Sequence, residues 1–302
     1  MQKPSLLTFS TLPLILMAAR PKTLLVGVTP VLVGVAFALG QVQSIHFSAA
    51  FLTLVCALSI QIGINLINDA LDFKKGADNE QRIGPKRITQ AGLMSYRQVL
   101  GIGFIFFSFA FLCGIPLIIL AGWPLFWALV FSLFFGYLYT GGPYPLAYFG
   151  LGELFVFLFF GFVITCSAFY VQTLTLNSTI VLAATQMGLL SVIPIAINNA
   201  RDLVTDKTAK KNTLAVRFGI TFARFEITIF SLLPFIITCF WAFLEKKIFL
   251  LLPLLIFPLA LQIVVQIWQQ APSSYYNFLL AQSAKQQLLF GVLLSLSHFF
   301  YL

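Results

Sequence analysis

The sequence contains very few charged residues for its length. Only 9% of its 302 residues are Asp, Glu, Lys or Arg, whereas soluble globular proteins average about 25%. The mean hydropathy is +0.97, and long runs such as residues 102–120 and 126–138 have no charged side chain at all. This composition excludes an ordinary soluble domain and predicts a multispanning membrane protein in which one helical bundle forms the domain.

Cysteine and histidine are also scarce. The four cysteines lie singly in separate apolar runs, with no Cys-x-x-Cys spacing and no nearby histidine; they are Cys56, Cys113, Cys166 and Cys239. We therefore expect all four to be small buried apolar side chains. The two histidines, His46 and His298, lie near opposite ends of the chain without other metal-ligating residues, so neither is assigned a role.

Charge clusters and Pro, Gly or Asn residues divide the apolar sequence into nine predicted helices. They cover residues 23–41, 47–70, 98–119, 122–140, 149–171, 179–200, 222–243, 248–268 and 281–301. The predicted fold is an all-α integral membrane bundle, a single domain over 1–302, with its helices arranged four plus four plus one. Residues 5–19, interrupted by Pro13, are a candidate for a tenth, short element at the membrane interface. We expect no cleavable signal peptide, because this run meets Arg20 and Lys22 instead of a small-residue cleavage site.

The positive charges predict the orientation of the bundle. The net charge of +9 would suggest nucleic-acid binding on a soluble surface, but here the cations sit in short segments between predicted helices. With a cytoplasmic N-terminus, 16 of the 18 Lys and Arg residues fall inside, and only Lys246 and Lys247 fall outside. This bias predicts a protein of the cytoplasmic (inner) membrane with its N-terminus inside and its C-terminus outside.

Aspartate occurs at only two places in the chain. Asp69, Asp72 and Asp78 end or follow the second predicted helix, and Asp202 and Asp206 end the sixth. Each place also carries amide side chains: Asn65 and Asn68 at the first, Asn198 and Asn199 at the second. Because an even number of predicted crossings separates the two, both should form Asp-rich segments on the cytoplasmic side.

The spacing places each polar set on one face of its helix. Asn65, Asp69 and Asp72 fall at i, i+4 and i+7, and the second set, which begins at Asn198, falls at i, i+4 and i+8. An aspartate at membrane depth costs about 2.5 to 3.5 kcal/mol, so such residues normally face a water-filled or liganded cavity. A solvated helix end is an equally good interpretation of one such cluster. Two equivalent clusters that hold every aspartate favour a shared site.

Carboxylates together with amide oxygens are typical ligands of Mg²⁺, which is usually held jointly by protein carboxylates and substrate phosphates. Basic residues accompany both clusters: Lys74, Arg82, Lys86 and Arg87 beside the first, and Arg201, Lys207, Lys210, Lys211 and Arg217 beside the second. Membrane orientation alone explains most of these cations, yet their interleaving with aspartates also describes a diphosphate clamp. A diphosphate site under an apolar bundle suits an isoprenoid diphosphate whose tail stays in the membrane interior.

Four further residues are weaker candidates. Glu153 is the only acidic residue of the apolar run 147–170, so it should face the cavity or pair with a cation. Tyr139 could stabilise an allylic cation through its ring, although an interface anchor is equally consistent. Arg20 and Lys22 are candidates for binding phosphate or a carboxylate, with simple snorkelling at the start of a helix as the alternative.

The motifs resemble those of the membrane prenyltransferases of the UbiA superfamily. The resemblance rests on N-x-x-x-D-x-x-D at 65–72 and D-x-x-x-D at 202–206 in a nine-helix background. Within this superfamily, further stretches of the sequence resemble the 1,4-dihydroxy-2-naphthoate polyprenyltransferases of menaquinone biosynthesis. These are A-R-P-K-T-L at 19–24, K-G-A-D at 75–78, R-I-G-P-K-R at 82–87, Y-T-G-G-P-Y at 139–144, G-E-L at 152–154, N-N-A-R-D at 198–202 and K-N-T-L-A-V at 211–216.

The resemblance implies a reaction in which a polyprenyl diphosphate alkylates a dihydroxynaphthoate, with loss of carboxylate and diphosphate, to give a demethylmenaquinone. It also implies that Asn65, Asp69 and Asp72 hold one Mg²⁺ and that Asp202 and Asp206 hold a second. Both ions would bridge the diphosphate. The alternatives are another aromatic acceptor, such as a hydroxybenzoate, or a transporter, in which polar residues inside spans mark a substrate pathway.

Overall fold

The computed structural model of the protein describes residues 12–78 and 82–300, apart from the side chain of Lys22. All regular secondary structure in these ranges is helical. The α-helices are α1 Leu12–Ala19, α2 Pro21–Leu39, α3 Phe47–Lys74, α4 Tyr96–Ala121, α5 Trp123–Leu138, α6 Gly152–Val156, α7 Thr165–Thr173, α8 Ser178–Arg201, α9 Leu203–Thr208, α10 Leu214–Glu245, α11 Phe257–Gln269 and α12 Tyr276–Phe299. A π-helical segment, Phe157–Ile164, joins α6 to α7, and 3₁₀ segments cover Leu146–Phe149 and Ile248–Ile256.

The apolar helices confirm an integral membrane protein. Within the described ranges, six helices are long and apolar enough to cross a membrane: Phe47–Lys74, Tyr96–Ala121, Gly152–Thr173, Ser178–Arg201, Leu214–Glu245 and Ile248–Gln269. The bent pair formed by α1 and α2 would make a seventh, and α5 is a shorter apolar helix. A helical segment lies over each of the nine stretches that the sequence predicts. That all nine cross the membrane remains a prediction.

The chain bends sharply where α1 meets α2. The axes of the two helices differ by 67°, and Arg20, between them, has a left-handed backbone with φ of 55°. Pro21 then begins α2, a position at which proline costs no hydrogen bond. Helix α1 covers the described part of the predicted interfacial element, and residues 5–11 of that element lie outside the described residues. The bend directs the Arg20 side chain toward the centre of the bundle.

Glycines allow the helices that carry the site to approach closely. A Cβ atom on Gly63 of α3 would lie 3.0 Å from the backbone oxygen of Gly103 on α4, so this crossing requires small residues. On the other side of the bundle, a Cβ on Gly161 would lie 2.7 Å from the oxygen of Ala184 on α8. These two contacts hold α3 and the π-helical segment in place around the centre of the bundle.

The last helix is tied to the bundle by buried amide groups. Gln287 of α12 donates to the backbone oxygen of Val26, at 3.1 Å, and to Oγ of Ser191, at 2.9 Å. Polar contacts of this kind give specificity to helix packing where lipid and side chains are equally apolar. They hold the middle of α12 against α2 and the middle of α8.

The prediction that all four cysteines are buried is wrong in part. Cys56 is buried, Cys113 and Cys166 are partly exposed, and Cys239 is exposed. Cys239 follows Ile236 and precedes Phe240 on the same helix, and those two side chains are 63% and 62% exposed. In a membrane bundle an apolar run does not reveal which face meets lipid, because lipid and protein core favour the same residues.

Candidate functional site

The first cluster is built by the last turns of α3, which runs on to Lys74. Its amide and carboxylate groups are buried at Asn65, Asn68, Asp69 and Asp72. The second cluster is built where α8 ends at Arg201 and the short helix α9 follows, with Asp202 and Asp206 both buried. Because buried carboxylates require hydrogen-bond partners or bound ligands, the aspartates at each helix end must contact such groups.

Two cations bring the clusters together. Nζ of Lys211 lies 3.9 Å from Oδ2 of Asp72 and 3.8 Å from Oδ1 of Asp206. Arg82 forms an ion pair with Asp78 and also lies 3.9 Å from Oδ2 of Asp202. The structure therefore places residues of both predicted clusters, and two of the predicted cations, in one site at one end of the bundle.

Asp69 has an architectural contact that the sequence did not reveal. Its Oδ2 accepts a hydrogen bond from the backbone N–H of Ile88 and its Oδ1 one from that of Thr89, both at 3.2 Å. Because both carboxylate oxygens bind the loop after α3, Asp69 holds in place the segment that carries Arg82 and Arg87. Asn65 is likewise engaged with backbone, donating to the oxygen of Ala19 at 2.9 Å.

Arg201 organises the second cluster. Its guanidinium donates to both carboxylate oxygens of Asp202, Nε to Oδ1 at 2.8 Å and Nη2 to Oδ2 at 2.6 Å. It also donates to Oδ1 of Asn198 at 2.7 Å and to Oδ1 of Asn277 at 2.5 Å. Asn277 lies on α12, outside every motif considered in the sequence, so the last helix takes part in the site.

Tyr148 and Lys75 are further members of the site that the sequence interpretation missed. The hydroxyl of Tyr148 donates to Oδ1 of Asp72 at 2.9 Å, and Nζ of Lys75 lies 4.5 Å from the centre of the Tyr148 ring. Lys75 also donates to the backbone oxygen of Thr140 at 2.5 Å, and the Thr140 hydroxyl donates to Asn68. These contacts join segments about 70 residues apart, and no local spacing indicates them.

Burial shifts the pKa values of the acidic groups outside the spans. It raises the pKa of Asp78 to about 6, despite the neighbouring Arg82, and that of Asp206 to about 6, despite Lys211. Burial alone would lower the pKa of Lys211, but the carboxylates of Asp72 and Asp206 raise it. Oδ2 of Asp206 is buried without a hydrogen-bond partner. The neighbouring cations therefore do not fully offset the burial of these two carboxylates.

Glu153 and Tyr139 lie on the neighbouring segment of chain. Oε1 of Glu153 accepts a hydrogen bond from Nδ2 of Asn199 at 2.6 Å, and its Oε2 is buried without a hydrogen-bond partner. Tyr139 follows α5, and a Cβ on Gly152 would lie 3.0 Å from its hydroxyl oxygen.

The remaining predicted residues differ in position. Arg87 is buried, and its Nε lies 3.5 Å from Oδ2 of Asp78. Lys74 and Lys86 are exposed, and Nζ of Lys74 lies over the ring of Tyr96. The structure does not bring these two lysines to the clusters. The side chain of Lys22 lies outside the described residues.

A cavity extends from the site into the bundle. Its empty volume is about 1190 Å³. Its polar lining is formed by Arg20, Asn65, Asn68, Tyr139 and Asn198, together with Gln61 and Ser191, and its apolar lining includes Ile60, Ile64, Phe135, Phe155, Phe159 and Phe160. At its polar end, Asn68 directly precedes Asp69, and Asn65 and Asn198 each lie one helical turn before an aspartate. The cavity therefore suits a ligand with an ionic head and an apolar tail.

The donor groups fit a hard divalent cation that shares its ligands with a phosphate. Among residues 12–78 and 82–300, no three His, Cys, Asp or Glu side chains converge as a complete metal site. The available oxygens are carboxylates and amides, which suit Mg²⁺, and Oδ2 of Asp206 has no hydrogen-bond partner. Phosphate oxygens of a bound ligand would complete the coordination that the protein leaves open.

Comparison with known proteins identifies the family. The model of the UbiA prenyltransferase family matches residues 27–281, which is most of the chain. The chain belongs to the UbiA prenyltransferase family. It is 36% identical over 208 residues to a Haemophilus influenzae protein named 1,4-dihydroxy-2-naphthoate octaprenyltransferase, a match that covers 67% of this chain and 68% of the relative. The Escherichia coli protein of the same name is 36% identical over 215 residues and covers 68% of each chain.

A solved structure shows the same fold. The UbiA homolog from Archaeoglobus fulgidus, solved with GPP and Mg²⁺, matches with a TM-score of 0.68 and 16% identity, covering 94% of this chain and 99% of that one. The predicted membership in the UbiA family of prenyltransferases is therefore confirmed, as is the similarity to dihydroxynaphthoate prenyltransferases.

Proposed function

We propose that this UbiA-family protein transfers a polyprenyl group from a prenyl diphosphate to 1,4-dihydroxy-2-naphthoate. The carbon–oxygen bond to diphosphate breaks and a carbon–carbon bond to the ring forms. The ring carboxylate leaves as carbon dioxide, and the product is a demethylmenaquinol, the reduced form of a demethylmenaquinone. The observation that carries the proposal is the joining of two aspartate clusters by Lys211 at the polar end of a deep apolar cavity. The names of relatives at 36% identity support the acceptor.

The cations of the site bind the diphosphate. Lys211 and Arg82 already lie between carboxylates of the two clusters, and Arg201 offers a planar fork that matches phosphate oxygens. These groups stabilise the charge that grows on the leaving diphosphate, which is a large contribution in reactions of this kind. Tyr148, through its hydrogen bond to Asp72, orients one carboxylate of the first cluster.

Mg²⁺ is the proposed cofactor, and its predicted ligands are Asn65, Asp69, Asp72, Asp202 and Asp206. Of these five, Asp72 and Asp206 are the ligands that the contacts support best. The two carboxylates face the same cation, Lys211, from opposite clusters, and one oxygen of Asp206 has no hydrogen-bond partner. Bound Mg²⁺ would neutralise charge on the leaving diphosphate. In addition, Asp69 secures the loop of Arg82 through the backbone of Ile88 and Thr89.

Tyr139, which lines the cavity, and Glu153, which lies on the neighbouring segment of chain, suit the reacting carbon atoms and the acceptor ring. Tyr139 lines the cavity at its polar end and presents an aromatic ring, which can stabilise an allylic cation. Glu153, fixed by Asn199, has a second oxygen without a hydrogen-bond partner that can accept a hydrogen bond from a hydroxyl group of the acceptor. The prenyl tail occupies the phenylalanine-rich part of the cavity.

The proposed topology completes this assignment. We propose one domain of nine transmembrane helices in the cytoplasmic membrane, with the N-terminus inside and the C-terminus outside. The 16 to 2 distribution of basic residues supports it. The diphosphate site then faces the cytoplasm, from which a water-soluble acceptor would arrive.

The test is product formation by the purified protein in detergent. The protein is incubated with Mg²⁺, a panel of prenyl diphosphates and several aromatic acids, and the products are identified by mass spectrometry. We expect a decarboxylated prenyl naphthoquinol. If prenylated hydroxybenzoate were the main product, hydroxybenzoate would replace dihydroxynaphthoate as the assigned acceptor. If no product formed in detergent and substrate moved only across sealed vesicles, the result would favour a transporter.

A further inference from the structure

A second cleft lies beside the main cavity, farther from the aspartate clusters. Its empty volume is about 530 Å³, and it is formed between α3, α4, α5 and the segment around the π-helix. Apart from the residues it shares with the main cavity, its walls include Thr53, Cys56, Gly114, Leu117, Leu125 and Leu129. No charged side chain lines it. An apolar cleft of this kind does not hold water well, so its natural occupant is a hydrocarbon.

The two spaces share part of their walls. Ala57, Ile60, Ser132 and Ile164 line both of them. Along α3 the lining changes in order, from Asn68 at the polar end of the main cavity, through the shared residues, to Thr53 in the cleft. The two spaces therefore adjoin along α3, and a molecule that follows this helix away from the diphosphate site meets the shared residues at their boundary.

The lengths indicate which substrates reach the cleft. At about 1.5 Å per residue, Ala57 lies about 16 Å along the helix from Asn68, and Thr53 about 22 Å. An extended isoprene unit, with four carbon–carbon bonds of about 1.5 Å, spans about 5 Å. Two units end inside the main cavity, three reach the shared wall, and four or more enter the cleft.

We propose that this cleft between α3, α4 and α5 receives the distal isoprene units of long prenyl diphosphates and so acts as a chain-length subsite. This inference rests on the proposed prenyl transfer and assigns the path of the tail beyond its third unit. The occupant is the substrate tail rather than a separate lipid, because the cleft adjoins the cavity of the diphosphate site along one helix and shares four of its lining residues.

The cleft should act by admitting or excluding chains rather than by attracting them. Lipid tails are as apolar as the side chains of the cleft, so moving a prenyl tail from bilayer to cleft gains little hydrophobic energy. Filling the cleft should therefore leave short substrates less affected than long ones. The ratio of kcat/KM for a long chain to that for a short chain is the quantity that reports on it.

The first experiment fills the cleft at two positions that do not line the main cavity. Ala128→Phe on α5 and Ser167→Phe on α7 each place a ring in the cleft, whereas Val130→Phe adds a ring on α5 outside both spaces. We expect the ratio of kcat/KM for octaprenyl to geranyl diphosphate to fall at least tenfold in both cleft variants. It should stay within twofold of wild type in the control. An unchanged ratio in both well-folded cleft variants would overturn the proposal.

The second experiment uses the wild-type protein and so does not depend on folding of a variant. A four-unit prenyl diphosphate with a diazirine on its last unit is bound with Mg²⁺ and irradiated, and labelled peptides are mapped by mass spectrometry. We expect label within residues 53–56, 114–118 and 125–129, which line the cleft and not the main cavity, and no label there from a two-unit probe. Label confined to α2 and α12 would refute this path.

The two proposals fail in distinguishable ways. Labelling of the cleft needs no acceptor, so it would persist if the acceptor were not a naphthoate. Conversely, full transfer of long chains by the cleft-filled variants would reject the chain-length subsite while leaving the proposed reaction intact.

Discussion

The contacts of Asp69 lead to a prediction about the loop after α3. In Asp69→Asn the amide keeps the volume of the side chain, but only one of its two polar atoms accepts hydrogen bonds. One backbone N–H, of Ile88 or Thr89, then faces an NH₂ donor, and the other loses a charged acceptor. Hydrogen bonds to a charged group contribute about 1.5 to 3 kcal/mol each. At the lower end, the two together stabilise the loop by about 3 kcal/mol, roughly a hundredfold in its local opening equilibrium.

Hydrogen–deuterium exchange of the metal-free protein measures this effect. We expect peptides that contain residues 88 and 89 to exchange roughly a hundredfold faster in Asp69→Asn than in wild type. Asp206→Asn is the matched control, because it removes the same charge from the same site but its ion pair is with Lys211 and not with the loop. If the metal-free Asp69→Asn protein exchanges at the wild-type rate in these peptides, Asp69 does not hold the loop and its role is limited to ligand binding.

Four further predictions follow from the site and the charge distribution. Asp69→Asn and Asp202→Asn should each lower the rate of prenyl transfer by about tenfold to a hundredfold, or about 1.4 to 2.7 kcal/mol; strictly multiplicative losses in the double mutant would contradict one shared site. Excess chelator should abolish turnover, with Mg²⁺ restoring it better than Ca²⁺, and full activity in chelator would reject a metal requirement. In chelator, Asp206→Asn should weaken the loss of stability as pH rises from about 4 through 6, because burial raises the pKa of this carboxyl to about 6 and its ionisation costs up to about 3 kcal/mol; an unchanged pH dependence of the melting temperature would contradict it. Reporter fusions should place the N-terminus inside and the C-terminus outside, and a cytoplasmic C-terminus would exclude nine spans.

The sequence alone determined the membrane class, the helical segments and the polar ends of the site. Charge is so rare in this chain that each cluster stands out, and a buried aspartate is costly enough in a membrane to mark function. For the same reason the positions of Asp72, Asp206 and Lys211 were identified without coordinates, and the structure places Nζ of Lys211 within 4 Å of both carboxylates. The family was also recognisable, because its motifs are local in the chain.

Only the tertiary structure decided which partner each polar group has. Asp69 binds backbone of the following loop, Arg201 reaches Asn277 on the last helix, and Tyr148 meets Asp72 from 76 residues away. No periodicity in the sequence indicates these contacts, because they form between segments that are distant in the chain and meet at the same end of the bundle. The exposed Cys239 and the second apolar cleft are further cases. In a membrane bundle, core, cleft and lipid-facing surface use the same apolar residues, so composition cannot distinguish them and only helix packing does.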